Sequence, residues 1–225
     1  MRWILVVASA LGLLSSASAT VFTFETSAGA SLGSSAVTGA SSTPVYGNRV
    51  SAAIENGYSY GSAFGFTPNV SVSYSANGTN VPSTWGSGYG NLVNVIWGSG
   101  SSSLLNDNIV SVTFTADPGW LIDFRGLSVA RWSTTSYPGS FVTLTNADNV
   151  TFDLLAPQQL AAGTSTNFSF SDDTYLSTSF VLRFGNGWWT GIDNVAFEQQ
   201  PVPEPMTMTL LAAGLVAVAR RRRKA

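Results

Sequence analysis

The chain of 225 residues is long enough for one domain with end segments, and it contains neither cysteine nor histidine. Disulfide bonds, thiol nucleophiles, histidine-based catalytic triads and His/Cys zinc sites are therefore excluded. From Thr20 to Gln200, four arginines stand against eleven acidic residues, which gives this body a net charge of −7. Such a body repels phosphate groups, so the composition argues against nucleic-acid binding.

The first predicted element is an N-terminal signal helix over residues 1–19, MRWILVVASALGLLSSASA. Arg2 gives a positive start, and an apolar run and then small residues follow it. This order is typical of a secretory signal peptide that the Sec machinery exports, and it predicts cleavage by signal peptidase between Ala19 and Thr20. An N-terminal core helix is the alternative, but the strand-like sequence TVFTFE follows at once.

Between residues 20 and 198, apolar and polar residues alternate in short runs separated by Gly, Ser, Asn and Pro. A period of two predicts half-buried strands, and so many runs with turn signals between them are typical of an all-β antiparallel sandwich or jelly roll. Asn56-Gly57, Asn77-Gly78 and the Asp117–Gly119 triplet predict tight turns. The predicted strands are 21–25, 69–75, 91–97, 109–115, 126–132, 141–145, 149–155, 167–171, 179–184 and 192–198.

Aromatic residues in two glycine-rich stretches, TWGSGYGN and FGNGWWTG, are candidates for sugar binding. Flat rings cover the apolar faces of sugars, while nearby amides and carboxylates bind the hydroxyl groups. The alternative is that the rings cap the core, with one of the two adjacent tryptophans pointing inward. The candidate rings are Trp85, Tyr89, Trp188 and Trp189, and the candidate polar partners are Asn186, Asp193 and Asn194.

Carboxylates from predicted loops are candidate oxygen ligands for a structural Ca²⁺ ion. Glu25 and Asp193 belong to the first and last predicted strands, which are often close together in a jelly roll. No EF-hand spacing occurs, and a solvated turn residue or a cap is the alternative for each acid, so no metal ligand is assigned and no cofactor is predicted. The loop acids considered are Asp107, Asp172 and Asp173.

The sequence predicts a protein that is not an enzyme. The sequence has neither the G-x-S-x-G elbow nor the histidine base that a serine hydrolase needs. A glycoside hydrolase can work with two carboxylates alone, and this chemistry is the remaining catalytic alternative, but the sequence does not single out a pair among eleven acids.

Residues 199–225 form a linker and a three-part tail. The motif Val202-Pro203-Glu204-Pro205 comes first, an apolar run from Met206 to Ala219 follows, and a basic cluster ends the chain. As a helix the apolar run would span about 21 Å, which is short for a bilayer core of about 30 Å. The basic cluster should stay cytoplasmic, which puts the body outside, as the signal peptide also requires. The cluster consists of Arg220, Arg221, Arg222, Arg223 and Lys224.

The basic cluster has two other interpretations: a solubilising tail, or a patch for nucleic acid or anionic lipid. Neither of them accounts for the Pro-Glu-Pro motif. The complete tail resembles the PEP-CTERM sorting signal of Gram-negative bacteria. This resemblance implies transient anchoring in the inner membrane, with the body in the periplasm.

In that family the tail is recognised by exosortase, a membrane-embedded cysteine peptidase or transpeptidase. The resemblance therefore implies delivery to the cell surface or the extracellular matrix, in cells that make exopolysaccharide. The body also resembles the lectin-like or galactose-binding-like sandwiches that such proteins carry, through GIDNVAFE (191–198). This second resemblance implies a carbohydrate-binding module as the alternative function.

Overall fold

The computed structural model describes residues 19–32, 37, 45–62, 65–76, 81–99, 109–132, 140–158, 160–161, 163–185, 189–202 and 214. The strands in this part of the chain form two antiparallel sheets, which confirms the all-β prediction. Residues 1–18 of the predicted signal helix lie outside the described residues. The predicted C-terminal helix also lies outside them, apart from Gly214. Within the described part, no helix is both long and apolar enough to cross a membrane.

The larger sheet has the strand order β11-β8-β14-β1-β3-β2. Strand β12 also pairs with β8, and the β5–β6 hairpin joins this sheet where Ile96 pairs with Ile192 of β14. Its strands are β1 (Ala19–Thr26), β2 (Ile54–Glu55), β3 (Tyr58–Ser62), β5 (Val81–Trp85), β6 (Val95–Ser99), β8 (Trp120–Arg131), β11 (Ser165–Ser169), β12 (Leu176–Ser177) and β14 (Thr190–Pro201).

The smaller sheet has the strand order β10-β9-β13-β7-β4. Four of these strands turn alternate side chains inward, as the period-two pattern requires, whereas in β10 the adjacent Leu154 and Leu155 both pack on the core at a shift in register. Its strands are β4 (Val70–Ala76), β7 (Val110–Ala116), β9 (Ser140–Asn146), β10 (Thr151–Gln158) and β13 (Ser179–Gly185).

Aromatic rings join the two sheets at the centre of one core. The ring of Phe114 on β7 lies 4.9 Å from that of Phe197 on β14 and 5.9 Å from that of Phe124 on β8. Phe22 of β1 stacks on Phe114 at 6.0 Å. All four side chains are fully buried, and burial of one such ring contributes about 1.5–3 kcal/mol. The two sheets therefore face each other in the manner of a sandwich.

The turns behave as their sequences predict where they are described. Asn56 and Gly57 both have positive φ, at 54° and 79°, and connect β2 to β3 as a two-residue hairpin. Asp117–Gly119 connects β7 to β8, with Gly119 at φ 86°. Asn77-Gly78 lies outside the described residues.

The strands differ from the predicted set in several places. The sequence pattern does not predict β2, β3, β5 and β12, and β6 begins at Val95 rather than at residue 91. Two predicted strands are longer than expected. Strand β8 begins at Trp120, six residues before the predicted start, because its first half pairs with the end of β14. Strand β14 continues past the predicted boundary at residue 198 to Pro201, which pairs with Trp120. The segment predicted as the start of a linker is therefore still part of the sheet.

Candidate ligand-binding face

Four aromatic side chains line one pocket of about 270 Å³ at one end of the larger sheet, which we call the aromatic pocket. Trp85 ends β5, Tyr89 lies in the β5–β6 connection, Trp97 lies on β6 and Trp132 follows β8. The Trp85 ring lies 6.3 Å from Trp97 and 6.0 Å from Trp132, both nearly perpendicular. Trp85 is 48% exposed, an unusual amount of apolar surface for so large a ring.

Glycines allow the rings to pack this closely. A Cβ atom on Gly88 would lie 2.3 Å from the indole of Trp132, and one on Gly191 would lie 2.6 Å from the ring of Tyr89. The glycines of the sequence GSGYG therefore have a packing role: without a Cβ atom, the backbone of the connection can lie directly against an indole ring.

The structure unites only part of the predicted set of rings. Trp85 and Tyr89 share the pocket, while Trp188 lies outside the described residues. Trp189 is buried, with 6% exposed, and does not line the pocket. Sequence reasoning missed Trp97 and Trp132 because both end apolar runs that were interpreted only as strands. Their signal was a bulky indole at the end of a strand, next to glycine or serine.

A second cavity, of about 670 Å³, lies on the outer face of the same sheet, and we call it the polar cleft. The β5–β6 connection forms one wall of it with Asn91, Leu92 and Val93. That connection therefore contributes to both cavities. The polar side chains of the cleft are Thr23 and Glu25 from β1, Asn91 from the β5–β6 connection, Arg125 and Ser128 from β8, Ser165, Asn167 and Ser169 from β11, and Asp193 and Asn194 from β14.

Backbone irregularities in adjacent strands bring Glu25 and Asp193 to this cleft. The register of β1 shifts between Phe22 and Glu25, and that of β14 shifts just after Asp193. Phe24 and Asn194 both have φ at 52°, a conformation that L residues rarely adopt. The prediction that the first and last strands place these two acids close together agrees with their shared cleft.

Hydrogen bonds fix the orientation of both carboxylates. The backbone N–H and side-chain amide of Asn194 donate to the two oxygens of Asp193, at 2.7 and 3.2 Å. The Asn94 amide donates to Glu25 Oε1 at 3.1 Å. Burial raises the pKa of Asp193 to about 7, and the nearby charge of Glu25 acts in the same direction. Near neutral pH the cleft thus holds a carboxyl group between its protonated and charged forms.

The predicted loop acids Asp172 and Asp173 both contact polar side chains: Asp172 pairs with Arg125, and Asp173 accepts a hydrogen bond from the Gln200 amide at 3.1 Å. Arg125 forms ion pairs with Asp172, with buried Asp123 at 3.0 Å and with Glu198 at 3.3 Å. Among the described residues, no three acidic side chains are placed to hold a metal ion. Asp107 lies outside those residues, and the structural Ca²⁺ ion stays a prediction.

The tail begins directly where β14 leaves the sheet. Residues 201–224 match the family model described as the PEP-CTERM protein-sorting motif. The chain carries a PEP-CTERM sorting motif. The resemblance of the tail is therefore confirmed, and the PEP-CTERM motif marks an exported protein that is sorted to the cell surface or extracellular space. It also implies processing by exosortase, a membrane protein.

Both predicted processing regions adjoin folded strands. The backbone N–H of Val202 donates to the carbonyl of Gly119 at 2.8 Å, so the PEP-CTERM motif starts on the body itself. Ala19 and Thr20, the predicted signal cleavage pair, are buried at the start of β1. Pro203, Glu204, Pro205 and the basic cluster lie outside the described residues.

The other comparisons give little beyond this motif. No curated protein matches the chain. One similar solved structure is the enzymatically active domain of tailspike protein 4 from bacteriophage CBA120, with 10% identity and a TM-score of 0.32. The likeness covers 59% of this chain and 19% of that one. A likeness of this size defines neither the fold nor the function of this chain.

Proposed function

We propose that the body is a non-enzymatic carbohydrate-binding module, which the PEP-CTERM motif delivers to the cell surface or extracellular matrix, where it binds exopolysaccharide. The observation that carries this proposal is the aromatic pocket, in which four rings line one cavity and Trp85 remains 48% exposed. Rings of this kind offer broad apolar surface with little conformational entropy to lose.

The polar cleft supports a sugar as the ligand rather than a purely apolar molecule. Ser128 lines the cleft and Trp132 lines the pocket, and the four-position step from one to the other on and after β8 corresponds to about 13 Å. A short glycan can therefore place an apolar face on Trp85 while its hydroxyl groups reach the amides and carboxylates of the cleft.

The charge of the body selects the class of glycan. The cleft contains the acids Glu25 and Asp193 and one cation, Arg125, and the body as a whole has four arginines against eleven acids. A polyanionic polysaccharide would be repelled by this field, since like charges at close range oppose association. The proposed ligand is therefore a neutral glycan.

Binding of the mature protein to neutral glycans on an array, followed by calorimetric titration, tests the proposal. We expect Trp85→Ala to weaken binding by about tenfold or more, as the loss of about 1.4 kcal/mol requires. Trp120→Ala removes the same side chain at the other end of β8 and should leave the affinity unchanged. No binding to any neutral glycan, or equal binding by the wild type and Trp85→Ala, would contradict the proposal.

One observation favours a second function, hydrolysis of the bound glycan. Glu25 and Asp193 line a common cleft, and the raised pKa of Asp193 suits a proton donor near neutral pH. Release of new reducing ends, abolished in Asp193→Asn while Trp85-dependent binding persists, would establish this function. If the polysaccharide length does not change after incubation, hydrolysis is contradicted and binding remains as the proposed function.

A further inference from the structure

The end of the larger sheet next to the sorting motif is a rigid surface. Pro201 pairs with Trp120, and the Val202 N–H is bonded to Gly119, so both sides of the chain exit are fixed. The Asp117 N–H donates to the carbonyl of Asn69 at 2.8 Å, so the β7–β8 turn is bonded to the residue that directly precedes β4. The last described residue of the body is therefore held against this turn, with no flexible spacer before it.

The length of chain beyond Val202 limits how far this turn can lie from the apolar run. Met206 is four positions after Val202, and a fully extended chain covers at most about 14 Å over four steps. The headgroup layer on one side of a bilayer is about 5–7 Å thick. If the apolar run is inserted, the turn must lie at the headgroups or at most about 7–9 Å above them.

The chemistry of the turn suits that position. Trp120 is half-buried and Pro118 is exposed, and tryptophan is enriched where apolar and aqueous phases meet. Arg49 and Asp117 form an exposed ion pair at 2.6 Å, so their charges largely cancel towards a headgroup layer. An added Cβ on Gly119 would meet nothing within 4 Å, which shows that the tip of the turn is open.

We propose that the β7–β8 turn, Asp117–Trp120, together with the chain exit at Val202, is a membrane-docking surface that rests on phospholipid headgroups while the sorting segment is inserted. This inference rests on the predicted anchoring by the tail and does not depend on the ligand of the aromatic pocket. The occupant of the surface is the bilayer from which the apolar run emerges.

The docking surface fixes the orientation of the body. Trp120 begins β8 and Trp132 directly follows it, twelve positions further on, which corresponds to about 40 Å. The β8–β14 ladder runs the whole of that distance, from Pro201 paired with Trp120 to Thr190 paired with Arg131. The aromatic pocket therefore points away from the membrane, toward the polymer outside.

Site-specific quenching tests the proposal with the full tail intact. The chain has no cysteine, so a single introduced cysteine carries a fluorophore uniquely. Pro118→Cys places the label on the docking surface, and Ser87→Cys places it on the exposed connection beside the aromatic pocket. The protein is reconstituted into phosphatidylcholine and phosphatidylglycerol vesicles that contain a lipid with a nitroxide headgroup.

We expect quenching of the label at 118 to exceed that at 87 by about threefold or more, because the headgroup layer is thin against the length of the body. Equal quenching at both sites, or none at 118, would overturn the proposal. A ten-residue Gly-Ser spacer between Val202 and Pro203 should bring quenching at 118 down toward the level at 87. Persistence of the strong quenching would overturn the role of the short tether.

A third label separates docking from anchoring. Gly214→Cys reports insertion of the apolar run through a nitroxide placed deep in the acyl chains. Quenching at 214 without quenching at 118 would overturn docking alone. Absence of quenching at 214 would overturn both docking and the anchoring on which it rests, while glycan binding by the pocket would stand or fall by its own titration.

Discussion

At the scale of single residues, Tyr46 supports the irregular backbone of the polar cleft. Its side chain is fully buried, and its hydroxyl accepts hydrogen bonds from the backbone N–H groups of Thr23 at 3.2 Å and Phe24 at 2.9 Å. It donates to the carbonyl of Ser59 at 3.0 Å. The bulge removes these groups from the ladder between β1 and β3, and buried backbone groups need partners. Burial raises the pKa of Tyr46, which keeps the hydroxyl neutral and able to donate.

Tyr46→Phe keeps the ring but leaves two backbone donors and one acceptor without this partner. We expect the free energy of unfolding to fall by about 2–3 kcal/mol, since each buried unsatisfied group costs about 1–3 kcal/mol before relaxation. Urea denaturation followed by tryptophan fluorescence measures the loss. Tyr175→Phe, at a ring packed between Phe152 and Phe170, is the control for the substitution itself. An equal, small cost in both variants would show that the bulge does not depend on Tyr46.

At the scale of elements, the β5–β6 connection builds the aromatic pocket through its glycines. Gly88 has φ at 90° and would carry a Cβ 2.3 Å from Trp132, whereas Gly57 has φ at 79° and open space around it. The two positions share the backbone conformation but differ in what surrounds them. They therefore separate the cost of positive φ from the cost of displacing an indole.

Gly88→Ala and Gly57→Ala should both lose about 1–2 kcal/mol of stability from the left-handed conformation. Only Gly88→Ala should also move Trp132, because the new methyl group would overlap its indole. We expect a changed near-ultraviolet tryptophan spectrum and weaker glycan binding in Gly88→Ala alone. Identical spectra for the wild type and Gly88→Ala would contradict the prediction that the added methyl group displaces Trp132.

The sequence pattern was informative for strands and much less so for irregular backbone. Alternation located β7 and β13 almost to their ends because each has one apolar face and a partner on both sides. It failed at residues 91–94, where Leu92 and Val93 suggested a strand but Asn94 turns the chain with φ at 61°. In that turn Leu92 packs in a small cluster below the pocket rather than in the main core.

The candidate site shows the same division. Trp85 and Tyr89 are candidates because their glycine-rich stretch predicts no strand, although Trp85 in fact ends β5, and the structure places both rings in one pocket. Trp97 was hidden because a ring at the end of an apolar run is equally consistent with a core position. The positive φ of Phe24 had no sequence signal, since nothing near it is glycine, asparagine or aspartate. Tertiary contacts such as the Tyr46 hydroxyl decide that conformation.

At the scale of the whole molecule, the body carries its excess of acid partly in buried positions. Burial raises the pKa of Asp193, Asp123 and Glu198, and Arg125 offsets this effect for the last two. The described hydrogen bonds to Asp193 come from the backbone N–H and the side-chain amide of Asn194, and neither group carries a charge. A group whose pKa is raised by folding holds a proton in the native state that the unfolded chain has already released. Its contribution to stability is therefore present at low pH and is lost as the pH rises.

For Asp193 the window runs from the ordinary carboxyl pKa near 4 up to about 7. We expect the free energy of unfolding to fall between pH 5 and pH 8 by on the order of 2–3 kcal/mol, because one pKa unit corresponds to about 1.4 kcal/mol. Asp193→Asn should remove most of this slope, so its stability relative to the wild type should be higher at pH 8 than at pH 5. Urea titrations across this range measure it.

Two comparisons make the pH result specific to Asp193. Asp148→Asn removes one negative charge from an exposed turn and should keep the wild-type slope, which separates local burial from net charge. The Arg49 partner lowers the pKa of Asp117, so the stability that this pair adds is lost only below about pH 4, outside the window. If Asp148→Asn flattened the slope as much as Asp193→Asn does, repulsion across the whole acidic body would be its cause. The protein would then lose stability at high pH through its total charge rather than through one buried carboxyl group in the polar cleft.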